Sequence, residues 1–164
     1  METETNLRLK CDGSVYITSK KVITSVLFAW LGLILGISFI EAPLKFQAPG
    51  ITFELGLGIG RLVFGALNKI EVLLTITIAI PSIYLFASNR LVSIFIFIIF
   101  TILAIQTFYL LPLLNIRAEN ILRHKFVVPS NHHFIYVGFE FLKVFLLITS
   151  GILLQKNNRY EKGY

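Results

Sequence analysis

The chain has 164 residues, of which 55% are hydrophobic and 15% charged, with a net charge of +6 and a mean hydropathy of +0.78. A soluble domain of this length carries a larger charged share, so the composition excludes that class and points to an integral membrane protein. The lysines and arginines are dispersed along the chain, which argues against a nucleic-acid partner, and the single cysteine, Cys11, excludes a disulfide framework or a cysteine metal site.

Residues 1–19 form a polar segment in which Asp12-Gly13, between two short runs, is a hairpin signal. The first apolar run covers residues 22–40. Lys20 and Lys21 before it resemble the start of a signal peptide, but the run is longer than such a segment and no small-residue cleavage site follows, so a retained helix is expected. Gly32 and Gly36 in this run have the spacing of a close helix contact, and Glu41-Ala42-Pro43 ends it before the Pro49-Gly50 turn.

Residues 51–67 are ambiguous. Joined to the second apolar run, residues 70–87, they would make a helix of about 55 Å, far longer than a hydrocarbon core of ~30 Å, so an interfacial or tilted helix before the second span is expected. Glu54, Arg61 and Asn68 recur every seven residues in it, as a polar stripe on one helix face. Asn89-Arg90 links the second run to the third, residues 91–111, which Pro112 closes; a basic loop and a fourth run, residues 134–154, follow. Each run approaches the roughly 20 residues a bilayer requires, and the expected fold is an all-α, four-helix membrane bundle, antiparallel and up-down. Its domains are a polar N-terminal segment 1–19, a four-span membrane domain 20–155 and a charged C-terminal tail 156–164 expected to be unstructured. No internal repeat stands out.

Orientation follows from charge. Arg8, Lys10, Lys20, Lys21, Arg90, Lys156, Arg159 and Lys162 fall on the side of the termini, against Lys45, Arg117, Arg123 and Lys125 on the other. The positive-inside rule then predicts both termini in the cytoplasm of a cell membrane, plasma or bacterial inner.

Folded this way, Glu41, Arg61, Glu71, Glu140 and Lys143 all fall in the outer half. A charge in hydrocarbon needs a partner or a wet cavity, which makes such residues candidates for function. In the fourth run His133, Tyr136, Glu140 and Lys143 share one helix face. Two central charges cost roughly 5–7 kcal/mol on insertion scales and the span's apolar residues return roughly 6, so this helix is near break-even unless its charges are paired or hydrated. An internal Glu140–Lys143 pair is the bland solution. The alternative is a polar wall facing a pocket to which Glu41, Lys45, Arg61, Glu71, Gln106 and Tyr109 contribute, with Arg61 neutralising Glu71 or Glu140.

Gly56, Gly58 and Gly60 lack the context of a phosphate loop and read as a close helix approach to Gly32 and Gly36. His132 and His133 diverge on a helix, so no metal site is expected, nor a catalytic nucleophile or a cofactor.

Trp30-Leu31-Gly32, Glu41-Ala42-Pro43-Leu44-Lys45-Phe46, Gly60-Arg61-Leu62-Val63-Phe64, Leu111-Pro112 and Arg117 together resemble the bacterial family of domain of unknown function 4149. They are more distantly similar to eukaryotic transmembrane protein 205. The resemblance covers about residues 25–120 and implies a four-helix membrane domain without an established reaction. The pattern in the fourth span is no part of it.

The functional expectation is a protein that binds or helps to move a small polar, anionic or lipid-headgroup ligand in the outer-half pocket. Arg61 and Lys143 would be cationic contacts and the three glutamates counter-charges or proton carriers. A membrane enzyme with a glutamate base and His133 as shuttle is the alternative, and a helper subunit of a larger membrane complex is a third. The expected partners are the bilayer, such a ligand, and a second copy or another membrane protein against the glycine-rich faces.

Overall fold

The computed structural model describes residues 2–86 and 89–156, with side chains from Ser14 onward, and every regular element among them is helical. Four helices are long and apolar enough to cross a membrane: Ser14–Gln47, Phe53–Phe86, Arg90–Leu122 and His132–Lys156. The expectation for residues 157–164 lies outside the described residues.

The first helix begins at Glu2, so the hairpin expected around Asp12-Gly13 is replaced by helix. A helix nucleated by an apolar span gains one hydrogen bond for each residue added, whereas an isolated two-stranded hairpin has no third partner to bury its face. Residues 51–67 likewise form no separate element: Phe53–Phe86 is one helix of 34 residues. At 1.5 Å per residue it spans about 51 Å against ~30 Å of hydrocarbon, so it tilts or projects beyond it. Its polar stripe explains the projection. Glu54 meets His124 at 3.6 Å, Arg61 meets Glu119 at 4.0 Å, and Asn68 donates to Thr107 Oγ1 at 2.9 Å. The stripe is thus a seam with the third helix and the turn after it, with its charged part at the end of the bundle remote from the termini.

Short connections turn the helices up and down. The first packs on the second and fourth, and so does the third, so the order around the bundle follows the chain. Lipid tails are as apolar as leucine, so cohesion comes from packing and from polar contacts between helices. Toward the termini the core is mainly apolar, with Ile23, Leu27, Val92, Ile96, Leu147 and Leu154 sealed and Ser19, Ser93 and Ser150 the buried polar side chains among them. Outside, Phe108 is 82% exposed, Leu62 75% and Phe97 70%, a surface that suits lipid and would aggregate in water.

The first and third helices share a local device. A π-helical turn occupies Leu35–Glu41 in one and Gln106–Leu110 in the other, and Pro43 and Pro112 each stand two residues beyond. A proline inside a helix removes an N–H and presses on the carbonyl four residues back. The wider turn relieves that pressure, and the Ala42 and Leu111 N–H groups reach back to Ile37 and Gln106.

Candidate functional site

Each helix sends a polar side chain into the middle of the bundle. Lys143 Nζ of the fourth lies 2.5 Å from Glu71 Oε1 of the second, across the bundle, and 2.9 Å from Glu140 Oε1 on its own helix. Trp30 of the first donates its indole N–H to the same Glu71 oxygen at 2.8 Å, and Gln106 of the third donates Nε2 to Glu140 Oε1 at 2.9 Å. Trp30, Glu71, Gln106, Glu140 and Lys143 are all at most 1% exposed. The Glu140–Lys143 pair therefore exists, but it is one side of a larger cluster in which one ammonium serves two carboxylates.

That count decides the chemistry. With both carboxylates ionised the cluster carries one negative charge, and a charge without a partner in low dielectric is costly. Acceptor capacity is also left over: Glu71 Oε2, Glu140 Oε2 and Gln106 Oε1 make no close hydrogen bond, and the Tyr136 hydroxyl stands next to the Glu140 carboxylate. A group that donates hydrogen bonds and carries positive charge fits such a set, and an anion does not.

A cavity of about 50 Å³ leads to this cluster from the end of the bundle remote from the termini, lined by Ser38, Phe39, Phe64, His133, Tyr136 and Glu140 among others. It exceeds the roughly 10–15 Å³ that one water needs. His133, Tyr136, Glu140 and Lys143 descend along one face of the fourth helix, from the exposed His133 to the buried Lys143. Lys45 lies above the Phe64 ring at 5.3 Å, and Phe64 meets Tyr136 edge-on at 5.7 Å, which ties the turn after the first helix to the cavity wall. Below the cluster the mainly apolar core packs the bundle, and the cavity reaches the cluster from the opposite end.

Of the residues expected from the sequence, Glu71, Gln106, Glu140 and Lys143 meet in the cluster, and His133 and Tyr136 line its approach. Glu41 and Lys45 pair at 3.4 Å near the helix end, outside the cavity lining. Arg61 does not neutralise Glu71 or Glu140: it is part of the seam with Glu119, and its place is taken by Lys143. Tyr109 is 60% exposed and points away. The glycines also differ from expectation. A side chain at Gly56 or Gly60 would strike Phe46 or the end of Lys45, while Gly32 and Gly36 face open space, so these glycines seat side chains from the turn and do not form a helix-to-helix contact. No group of histidines and acids with metal-ligand geometry occurs among the described residues.

Trp30 was not legible as a site residue. Beyond its place in the Trp30-Leu31-Gly32 motif, its signal is an indole N–H inside an apolar span, which must find an acceptor when buried. Ser38 carried no signal, and Phe64 none beyond its place in the motif Gly60-Arg61-Leu62-Val63-Phe64.

No protein-family model matches this chain, and neither a curated protein nor a solved structure matches it.

Proposed function

We propose that this multi-pass membrane protein binds, and helps to move, a small ligand bearing a primary ammonium group, free or on a lipid headgroup, taken up through the cavity onto Glu140. The observation that carries the reading is the Glu140 carboxylate at the foot of the cavity, its Oε2 buried with no close hydrogen bond and the Tyr136 hydroxyl next to it, in a cluster that is short of one positive charge when both carboxylates are ionised. This alters the expectation of an anion: among the described residues Lys143 already serves two carboxylates, Arg61 lies in the seam with Glu119 and Lys45 pairs with Glu41, so each cation expected at the pocket is engaged. The inward aim of the charges favours a pocket over a helper subunit, and no hydrogen bond joins His133 to a carboxylate among the described residues, which weakens the enzyme reading. The resemblance to the family of domain of unknown function 4149 belongs to the same proposal, and no residue role depends on it.

The test is thermal unfolding of the purified protein at fixed pH and ionic strength. Ammonium or methylammonium raises the midpoint with concentration, by about 2.7 kcal/mol of stability at a hundredfold excess over Kd. Phosphate and glycerol phosphate do not. Methylammonium, compared with an ethanolamine lipid in mixed micelles, separates a free ligand from a headgroup. Stabilisation by the anions in place of the amines would overturn the reading.

The proposed setting is a cell membrane with both termini in the cytoplasm and the cavity open to the outer face. In a Cys11→Ser background, single cysteines at Ser14 and Asn157 are expected to resist an external thiol reagent and those at Gln47 and Asn120 to react. The reverse pattern would turn the cavity to the cytoplasm.

A further inference from the structure

Pro43 and Pro112 stand 69 residues apart, and so do Glu71 and Glu140. The same offset carries the π turn of the first helix onto that of the third. It also carries the sealed positions Ile23, Leu27 and Ile34 onto Val92, Ile96 and Leu103, and in the second and fourth helices Ile78 and Leu85 onto Leu147 and Leu154. Helical periodicity alone would align buried faces at many offsets. It does not explain why one offset aligns a proline with its π turn on one pair of helices and a buried carboxylate on the other pair.

The two halves differ where the chemistry is. Trp30, donor to Glu71, has Ile99 as its counterpart, and Gln106, donor to Glu140, has Ile37. Lys143 stands where the first half has Leu74, a partly buried side chain packed on the core. Halves that repeat in the same sense are related by an axis along the membrane normal, and sites at the interface of repeats lie near the bilayer midplane.

We propose that the chain is a tandem of one two-helix hairpin, that Glu71 and Glu140 are a single carboxylate in its two copies, and that Lys143 is a tethered ammonium seated in a two-carboxylate site for a small monovalent cation. The inference rests on reading the cluster as a binding site, and it deepens that reading. The ammonium of Lys143 touches one oxygen of each carboxylate, so it shows what the pair receives. Glu71 Oε2, Glu140 Oε2 and Gln106 Oε1, buried without a close hydrogen bond in the same cluster, are further acceptors for a cation. Among the described residues, Trp30 and Gln106 face the pair as neutral donors, Tyr136 as a neutral hydroxyl above Glu140 and Lys143 as the cation in contact with it, while His133 lines the same cavity farther out.

An approximate two-fold relation exchanges positions 74 and 143 along with the two glutamates. Moving the lysine should therefore rebuild the cluster from the other side. The expected result is that Lys143→Leu lowers the melting midpoint and that Leu74→Lys added to it restores at least half of the loss. A double variant melting at or below Lys143→Leu overturns the duplication. Should Lys143→Leu fail to yield folded protein, the yield of monodisperse double variant replaces the midpoint as the readout, with recovery expected and no recovery overturning it.

The cation site is read from the same variant. At fixed pH and ionic strength, exchanging choline chloride for ammonium or potassium chloride should raise the midpoint of Lys143→Leu more than that of the wild type. Where Lys143→Leu does not fold, the same salts in the growth and extraction buffers should rescue its yield. Equal response to choline and to the small cations overturns the site. A cavity that binds nothing would leave the wild type flat and this difference intact, so the two proposals fail separately.

Discussion

Lys143→Leu is expected to cost about 3–5 kcal/mol of stability in choline buffer at neutral pH, the loss typical of a buried ion pair deprived of one partner. For a domain of this size that is a fall of roughly 6–20 °C in the melting midpoint. The cost is not the loss of packing by the lysine stem, because leucine fills much of the same space. It arises because Glu71 and Glu140, both fully buried, lose their common cation at once. Neutralising all three members, with Glu71→Gln and Glu140→Gln added to Lys143→Leu, removes the stranded charges and should return most of the stability. If the triple variant unfolds as readily as the single one, the lysine acts through shape and the electrostatic account of the cluster is wrong.

The membrane class, the four spans and the up-down order were legible because each rests on a signal in a single stretch of chain: a long apolar run, a turn, or a break. The fourth helix was legible in more detail, since Tyr136, Glu140 and Lys143 on one face near insertion break-even had to find partners. What the sequence concealed is distance across the bundle. Arg61 and Lys143 were both available to Glu71, and only the packing of the second helix against the third assigns Arg61 to Glu119. Gly56 and Gly60 were misread for the same reason, because a small residue records that something is close without saying what. The duplication escaped because little sequence identity supports it. It rests on buried positions and two prolines in register, and burial is a property of the fold.

Glu140→Gln is expected to separate function from stability. Unlike Lys143→Leu it leaves no charge stranded, since Lys143 keeps Glu71 at 2.5 Å and that pair is neutral and supported by Trp30. The cluster moves from two carboxylates per ammonium to one, so its stability should change by no more than about 1 kcal/mol, far less than the loss of a shared partner. Binding should behave in the opposite way. The acceptor at the foot of the cavity loses its charge, and hydrogen bonds to charged groups are roughly twice as strong as neutral ones, so the midpoint shift produced by methylammonium should shrink at least tenfold in apparent affinity. Arg61→Gln, set in the seam with Glu119, should leave that response alone, and its stability effect should add to that of Glu140→Gln within about 0.5 kcal/mol because the two side chains share no partner. An unchanged methylammonium response in Glu140→Gln would remove Glu140 as the ligand's acceptor, and Glu71 would then be the carboxylate to test.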